Sequence, residues 1–294
     1  MNPIIEKDGE RHLLLRAEDL PGGAKVAILE EGIRSIAVVK GVHYHAEDIN
    51  GLLELPHFKE LSLGGEAMDI SVVTQLHFLE KLSIGDDVVR IGCDVSGLTK
   101  LRELDITISK HQSLPSAELP KLTKLRMWNF REKNLKQLKF MPALQELLLH
   151  EARNLESLGG IEHCKQLKRI DIAFCPKLLS IEALSKLNHL EYLEFESAKK
   201  IKDLTPVFDI SSLITLIAIN LSTVDSILGI KNLKNLKHLT WRGIEILDGN
   251  LTPLLESLGL KHGYVTPNKK YYQPSAVKVY EAIKARSLSA TTTV

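Results

Sequence analysis

The sequence is poor in aromatic residues and cysteine and carries almost no net charge. Phenylalanine, tryptophan and tyrosine make up 5% of the 294 residues, so leucine and isoleucine must fill most of the core. Lysine and arginine total 38 against 37 acidic residues, a formal net charge of +1. That balance favours neither nucleic acid nor a membrane surface as a partner.

Long apolar segments are also missing. No run of about 20 apolar residues occurs, and the first residues, MNPIIEKDGERHLLLRAED, contain acidic side chains where a signal peptide has its apolar region. We therefore expect a cytoplasmic protein that is not associated with a membrane.

The motifs of nucleotide binding, serine hydrolysis and zinc catalysis do not occur: GxxxxGK[ST], GxGxxG, GxSxG and HExxH are all missing. His43 and His45, followed by Glu47 and Asp48, alternate as they would in a strand and could bind a metal, although a solvated loop is the commoner structure for such a stretch. We predict a protein that is not an enzyme and has no metal or cofactor. An active site hidden in this loop or near the chain ends is the alternative.

What the sequence does have is a recurring apolar pattern. Between Leu167 and Ser197 the apolar residues advance by steps of three, two and six, which fit neither a helix nor an alternating strand. The pattern repeats in register at intervals of 21 to 23 residues, starting at Phe58, Leu79, Leu101, Leu122, Leu144, Leu167, Leu190, Leu213 and Leu236. Irregular copies flank this array near Ile33 and Leu255. Self-similarity at such a period is typical of a solenoid.

The recurring L-x-x-L-x-L, as in LRELDI, LQELLL and LEYLEF, resembles that of leucine-rich repeat proteins of the short, bacterial and intracellular type. The resemblance implies an α/β solenoid, a horseshoe with a parallel β-sheet on its concave face and short 3₁₀ or irregular segments on its convex side. The family usually has an asparagine or cysteine ladder after the strand. An asparagine ladder is absent from this sequence, because the corresponding positions hold Ala152, Cys175, Ala198, Leu221 and Ile244.

The chain ends predict caps, which a solenoid needs to cover the apolar ends of its array. Residues 1–30 contain the strand-like pieces HLLLRA and KVAIL and predict a β-rich N-terminal cap. Residues 31–262 form the repeat array. Residues 263–288 predict a C-terminal cap whose helix begins at Pro274 and Ser275, and residues 289–294 predict a frayed tail.

The three cysteines do not make a full disulfide set. Cys164 and Cys175 fall at repeat positions that face the core, so we predict reduced, structural thiols. The pattern assigns no position to Cys93.

The residues between the leucines of each strand point away from the core and build one open surface. Several are large and apolar or amphipathic on adjacent rows, and exposed patches of this kind mark interfaces. The predicted partner-binding residues are Arg126, Trp128, Glu146, Leu148, His150, Arg169, Asp171, Phe174, Tyr192, Glu194, Glu196, Ile217, Ile219, His238 and Arg242. Trp128, Tyr192 and Arg126 are expected to be the anchors, since tryptophan, tyrosine and arginine dominate interface hot spots.

Acidic residues slightly outnumber basic ones on this surface, which favours a protein partner with a basic or mixed surface over nucleic acid. We predict a non-catalytic protein-recognition module. The resemblance extends to intracellular immunity proteins that inhibit a toxin domain, and the alternative is a regulatory or scaffolding subunit similar to leucine-rich regulators of phosphatases. The missing signal segment argues against a secreted, internalin-like adhesin.

Overall fold

The computed structural model describes residues 4–7, 10–17, 20, 21, 24, 28, 32–40, 48–56, 58–85 and 88–291. The chain divides into two compact units. Unit 1 comprises Met1–Asn129 and Phe140–Leu144, and unit 2 comprises Phe130–Lys139 and Gln145–Val294.

Unit 1 is built on a sheet in which β1 pairs antiparallel with β2 and every later strand pairs parallel with its neighbour. The strands, in the order in which they lie in the sheet, are β1 (Ile4–Lys7), β2 (Glu10–Arg16), β3 (Ser35–Lys40), β4 (Glu60–Gly65), β6 (Lys81–Ile84), β8 (Glu103–Thr107) and β9 (Lys124–Trp128). A second, two-stranded sheet pairs β5 (Met68–Asp69) with β7 (Val89–Ile91).

Unit 2 contains parallel strands that lie in the sheet in chain order. They are β10 (Glu146–His150), β11 (Arg169–Ala173), β12 (Tyr192–Glu196), β13 (Thr215–Val224), β14 (His238–Ile246) and β15 (His262–Thr266). Equivalent positions of the repeat pair directly: Arg169 lies beside Tyr192, and Tyr192 beside Thr215. Each repeat therefore contributes one strand to a growing parallel sheet.

Short helical segments carry the chain from one strand to the next. The 3₁₀ helices are Asn50–Glu54, Ser71–Gln75, Val95–Gly97, Lys136–Phe140, Ile161–His163, Glu182–Lys186 and Leu228–Asn232. Two short α-helices, α1 (Thr205–Phe208) and α2 (Thr252–Glu256), also connect strands, and the longer helix α3 (Ala276–Thr291) follows β15. The tight 3₁₀ winding follows from apolar residues at steps of three, which eclipse on one side of such a helix and face the core together.

The core consists of columns of stacked side chains, one from each repeat. In the repeat that contains β10, the apolar residues with 0% exposure are Leu144, Leu147, Leu149, Ala152, Leu155, Leu158, Ile161 and Cys164. The strand thus buries alternate residues and leaves the others on the opposite face of the sheet. This is the parallel leucine-rich repeat architecture that the sequence predicted.

The strands β9–β14 share one backbone form, which stands in place of an asparagine ladder. The residue that follows the first five strand positions is left-handed in Asn129, Glu151, Phe174, Ser197, Asn220 and Gly243, with φ between 54° and 68°, and β13 and β14 continue beyond it. Its amide donates a hydrogen bond to the next repeat: Glu151 to the carbonyl of Ala173, and Phe174 to that of Glu196. The following residue, such as Ala152, is then buried. Small or apolar side chains fit there because the backbone already satisfies its own polar groups.

All three cysteines are free and buried. Burial raises the pKa of the Cys93 and Cys164 thiols to about 12 and that of Cys175 to about 11. The repeat pattern assigned no position to Cys93. Its backbone amide donates a hydrogen bond to Oε1 of Gln112 at 3.0 Å, and its backbone carbonyl accepts one from Nε2 of Gln112 at 2.9 Å.

In each unit a parallel strand lies beyond the predicted array. β2 lies parallel to β3 with His12 beside Ser35, and β15 lies parallel to β14 with His238 beside His262. Helix α3 packs against β15 and runs to Thr291. Most of KVAIL lies outside the described residues, and the predicted domain boundaries stay predictions. No helix of the described chain is long and apolar enough to cross a membrane.

Candidate functional site

The side chains of β10–β15 that point away from the core form one surface, called the unit 2 sheet face below. The strand registers arrange them in three columns. The first column is Glu146, Arg169, Tyr192, Thr215, His238 and His262. The middle column is Leu148, Asp171, Glu194, Ile217, Thr240 and Tyr264. The third column is His150, Ala173, Glu196, Ile219, Arg242 and Thr266.

All of the predicted partner-binding residues except Arg126, Trp128 and Phe174 lie on this face. Most are half-buried, because neighbouring strands bring their side chains against one another, while His238 and Arg242 are exposed. The prediction that these residues bind a partner stays a prediction, but their common face is a fact of the fold.

An arginine and a tyrosine stack at the centre of the face. The Arg169 guanidinium carbon lies 3.6 Å from the centroid of the Tyr192 ring, a cation–π arrangement. The Tyr192 hydroxyl donates a hydrogen bond to Glu194. Burial and this carboxylate raise the pKa of Tyr192 to about 12, so the phenol keeps its proton and remains a donor. The ring is thus held at its face and at its hydroxyl.

Asp171 is held from both sides of the same region. Nε2 of His150 lies 3.3 Å from one carboxylate oxygen, and Nη2 of Arg169 lies 3.8 Å from the other. Ion pairs of this kind contribute little stability when water reaches them. Their main effect here is to fix the directions of the side chains before any partner arrives.

The character of the face changes from strand to strand. β11 and β12 carry three carboxylates, on Asp171, Glu194 and Glu196. β13 carries Ile217 and Ile219, and the next strands carry basic and aromatic side chains, namely Arg242, His238, His262 and Tyr264. The sheet therefore presents an acidic region, an apolar strip and a basic region in sequence.

Phe174 stands at the edge of the face, immediately after β11. Its φ is 57°, in the left-handed region, and its side chain is 50% exposed. It lines a surface groove of about 430 Å³ together with Glu151, Arg153, Pro176 and Ser197. A bulky side chain in the left-handed region is a genuine outlier, and such strain tends to cluster at functional sites.

Sequence reasoning placed Phe174 on the surface but missed the turn column to which it belongs. The available signal was the residue type at the same repeat position: Asn129, Asn220 and Gly243 are the residues that tolerate a positive φ. It also missed His262 and Tyr264, because the last regular repeat of the predicted array begins at Leu236 and only an irregular copy follows it.

Arg126 and Trp128 lie on β9, in unit 1. The indole Nε1 of Trp128 donates to Asp105 at 3.3 Å, and Arg126 Nη1 lies 3.7 Å from the other oxygen of the same carboxylate. Trp128 is 39% exposed. Two of the three predicted anchors are therefore tied to one acidic residue of their own unit.

No group of three or more histidine, cysteine or acidic side chains within the described ranges is placed to hold a metal ion. His43 and His45 lie outside the described residues. The prediction that the protein is not an enzyme stays a prediction.

Comparison with known proteins shows the architecture. No protein-family model and no curated protein matches the sequence. Among solved structures, an internalin (InlF) from Listeria monocytogenes is 18% identical in sequence, with a TM-score of 0.56. The match covers 80% of this chain and 74% of the internalin chain. The TLR13–ssRNA13 complex is 16% identical with a TM-score of 0.57, and the match covers 86% of this chain and 41% of the TLR13 chain. At these identities the likeness is one of fold: the protein is built as a leucine-rich repeat α/β solenoid.

Proposed function

We propose that this protein is a non-catalytic recognition module that binds a protein partner through the unit 2 sheet face. The observation that carries the proposal is the row of three carboxylates, Asp171, Glu194 and Glu196, held beside the apolar pair Ile217 and Ile219. An apolar strip bordered by charge is the arrangement of an interface, with a desolvated centre and a polar rim.

The face is also ordered in advance. Arg169, Tyr192 and Glu194 are linked by stacking and a hydrogen bond, and Asp171 is held by two neighbours. Freezing a long side chain on binding costs roughly 0.5–1.5 kcal/mol, so a surface whose side chains are already fixed loses less free energy when it binds.

The charges indicate the chemistry of the partner. A basic protein surface would pair with the carboxylates of β11 and β12 and cover the isoleucines of β13. Nucleic acid is disfavoured at this part of the face, because phosphates would be repelled by the same carboxylates. The TLR13 structure is a complex with ssRNA13. We do not propose RNA as a ligand of this face, because the acidic row would repel its phosphates.

Within this proposal, we favour an immunity or inhibitor role against a toxin or enzyme domain in the cytoplasm. Basic nucleic-acid-cleaving domains would complement the acidic row. A regulatory or scaffolding subunit would use the same face but would leave the partner active. The two roles therefore separate on the activity of the partner in the complex.

The test is capture of partners from native lysate with three proteins: the wild type, Glu196→Lys on the sheet face, and Glu182→Lys on an exposed 3₁₀ helix away from that face. Glu196 is chosen because its replacement leaves the Tyr192–Glu194 hydrogen bond in place. We expect one partner to be captured by the wild type and the control, and at least tenfold less by Glu196→Lys.

Equal capture by Glu196→Lys and Glu182→Lys, with both folded by circular dichroism, would exclude the unit 2 sheet face as the binding surface. Once a partner is in hand, its activity is measured with and without this protein. Stoichiometric inhibition supports the inhibitor role, and unchanged or redirected activity supports the regulatory subunit.

A further inference from the structure

A cavity of about 450 Å³ lies where helix α3 meets β14 and β15. It is lined by apolar, basic and hydroxyl-bearing residues of both strands and of the helix, together with Lys261 just before β15. The volume falls within the range of roughly 300–1,000 Å³ that is usual for small-molecule sites.

The floor of the cavity is apolar because a glycine lets the helix approach the sheet. Gly263 pairs with Leu239 on β14, and so occupies a position at which the preceding strand has a leucine. A Cβ added to Gly263 would lie 2.4 Å from Cδ1 of Ile283, which is 1% exposed. Ile283 of α3 therefore replaces the missing leucine, and the junction brings helix and strand side chains around one space.

The rim is basic and rich in hydroxyl groups. Lys261 and Lys284 supply positive charge, His262 supplies an imidazole, and Tyr264, Tyr280, Thr240 and Ser287 supply hydroxyls. None of the described residues that line the cavity is acidic. Glu281, which lies on the same helix, does not line the cavity.

A pair of stacked histidines includes His262 of the cavity lining. The His238 and His262 rings stack with centroids 5.0 Å apart and planes 10° from parallel. The pKa of His238 is lowered, first by burial and then by the charges of His262, Lys237 and Lys261. An anion placed between these groups would relieve their mutual repulsion.

We propose that this cavity binds a small organic anion that carries an aromatic ring. The lysines and His262 would hold the anionic group, and the rings of Tyr264 and Tyr280, which are 47% and 45% exposed, would stack on the aromatic body. The site does not use the acidic row of β11 and β12. The test of this proposal is therefore independent of the test of the proposed protein partner.

The experiment titrates the full chain with phenyl phosphate and with two matched probes, inorganic phosphate and phenol, followed by calorimetry and by the histidine ring resonances. Phenyl phosphate is expected to bind at least tenfold more tightly than either probe and to shift the His238 and His262 signals. Lys284→Gln is expected to weaken phenyl phosphate at least tenfold. Lys278→Gln, an exposed lysine of the same helix outside the cavity, is expected to leave binding unchanged.

Four results would overturn the proposal. Phenol binding as tightly as phenyl phosphate would show that no anion is recognised, and inorganic phosphate binding as tightly would show that the tyrosines are not used. Loss of binding in Lys278→Gln equal to that in Lys284→Gln, or no binding of phenyl phosphate at millimolar concentration, would show that the cavity is not the site.

Discussion

Phe174 illustrates how one residue can be at odds with its backbone. In β9–β14 the residue after the first five strand positions is left-handed, and asparagine or glycine stands there at Asn129, Asn220 and Gly243. Phe174 adopts the same conformation with an aromatic ring that is half exposed. Since burial of the ring does not explain the choice, we propose that Phe174 contacts a partner at the groove it lines.

We predict that Phe174→Asn stabilises the protein. A left-handed conformation costs a non-glycine residue roughly 1–2 kcal/mol, and asparagine tolerates it better, so the free energy of unfolding should rise by about 1 kcal/mol. The measurement is urea denaturation followed by circular dichroism. The matched control is Leu179→Asn, which removes a 65% exposed side chain from a residue without a positive φ and should bring no gain.

A Phe174→Asn protein less stable than the wild type would show that ring packing against the groove outweighs the backbone strain. If stability rises while partner capture falls, the phenylalanine is kept for binding at a cost in stability, which is the behaviour of a functional residue.

At the scale of elements, the junction of β15 and α3 shows how the last strand differs from the others. Inner strands of unit 2 bury a large apolar residue at the first core position, as with Leu193, Leu216 and Leu239. β15 has Gly263 there, and α3 supplies Ile283 instead. The exchange lets a helix lie on the strand, and the amides of α3 begin with Ala276 donating to the Asn268 side chain at 2.9 Å.

We predict that Gly263→Leu displaces helix α3. A leucine would collide with Ile283, and overpacking of this kind typically costs 1–3 kcal/mol. Hydrogen exchange of the α3 amides should therefore accelerate while the amides of β10–β12 remain protected. The second variant, Gly263→Leu with Ile283→Ala, should recover part of the lost protection, because it restores the volume; if the double variant is no better than the single one, the collision is not the cause.

For the whole molecule, the buried thiols report the integrity of each unit. Cys93 belongs to unit 1, and Cys164 and Cys175 belong to unit 2. Thiolate is the reactive species, and burial keeps all three groups protonated by raising their pKa to about 11 or 12.

We predict that none of the three thiols reacts with a disulfide reagent near pH 8 in the native protein, and that all three react in concentrated urea. The measurement is release of thionitrobenzoate over time. Mass mapping of the labelled peptides at intermediate urea then shows which unit opens first. Rapid labelling of any one cysteine without denaturant would mean that its segment opens locally in the folded state.

Part of the candidate site could be predicted because a strand fixes the direction of its side chains. Once L-x-x-L-x-L is recognised, the residues between the leucines must face away from the core, and this places Glu146, Arg169 and Tyr192 on one surface. The partners of those side chains could not be predicted, because the stacking of Arg169 on Tyr192 and the link from Tyr192 to Glu194 depend on side-chain conformations and on neighbours in other repeats.

The sequence by itself determined the leucine-rich repeat solenoid, since the recurrence of apolar residues leaves one arrangement in which every copy buries its leucines against the next. Tertiary structure decided the features that depend on distances between repeats. It set the left-handed turn at Phe174, replaced the asparagine ladder with backbone hydrogen bonds, and closed α3 over Gly263 to form a basic cavity. The repeat period of the sequence indicates which residues are buried. Backbone strain, side-chain pairing and cavities depend on contacts between residues that are distant in the sequence.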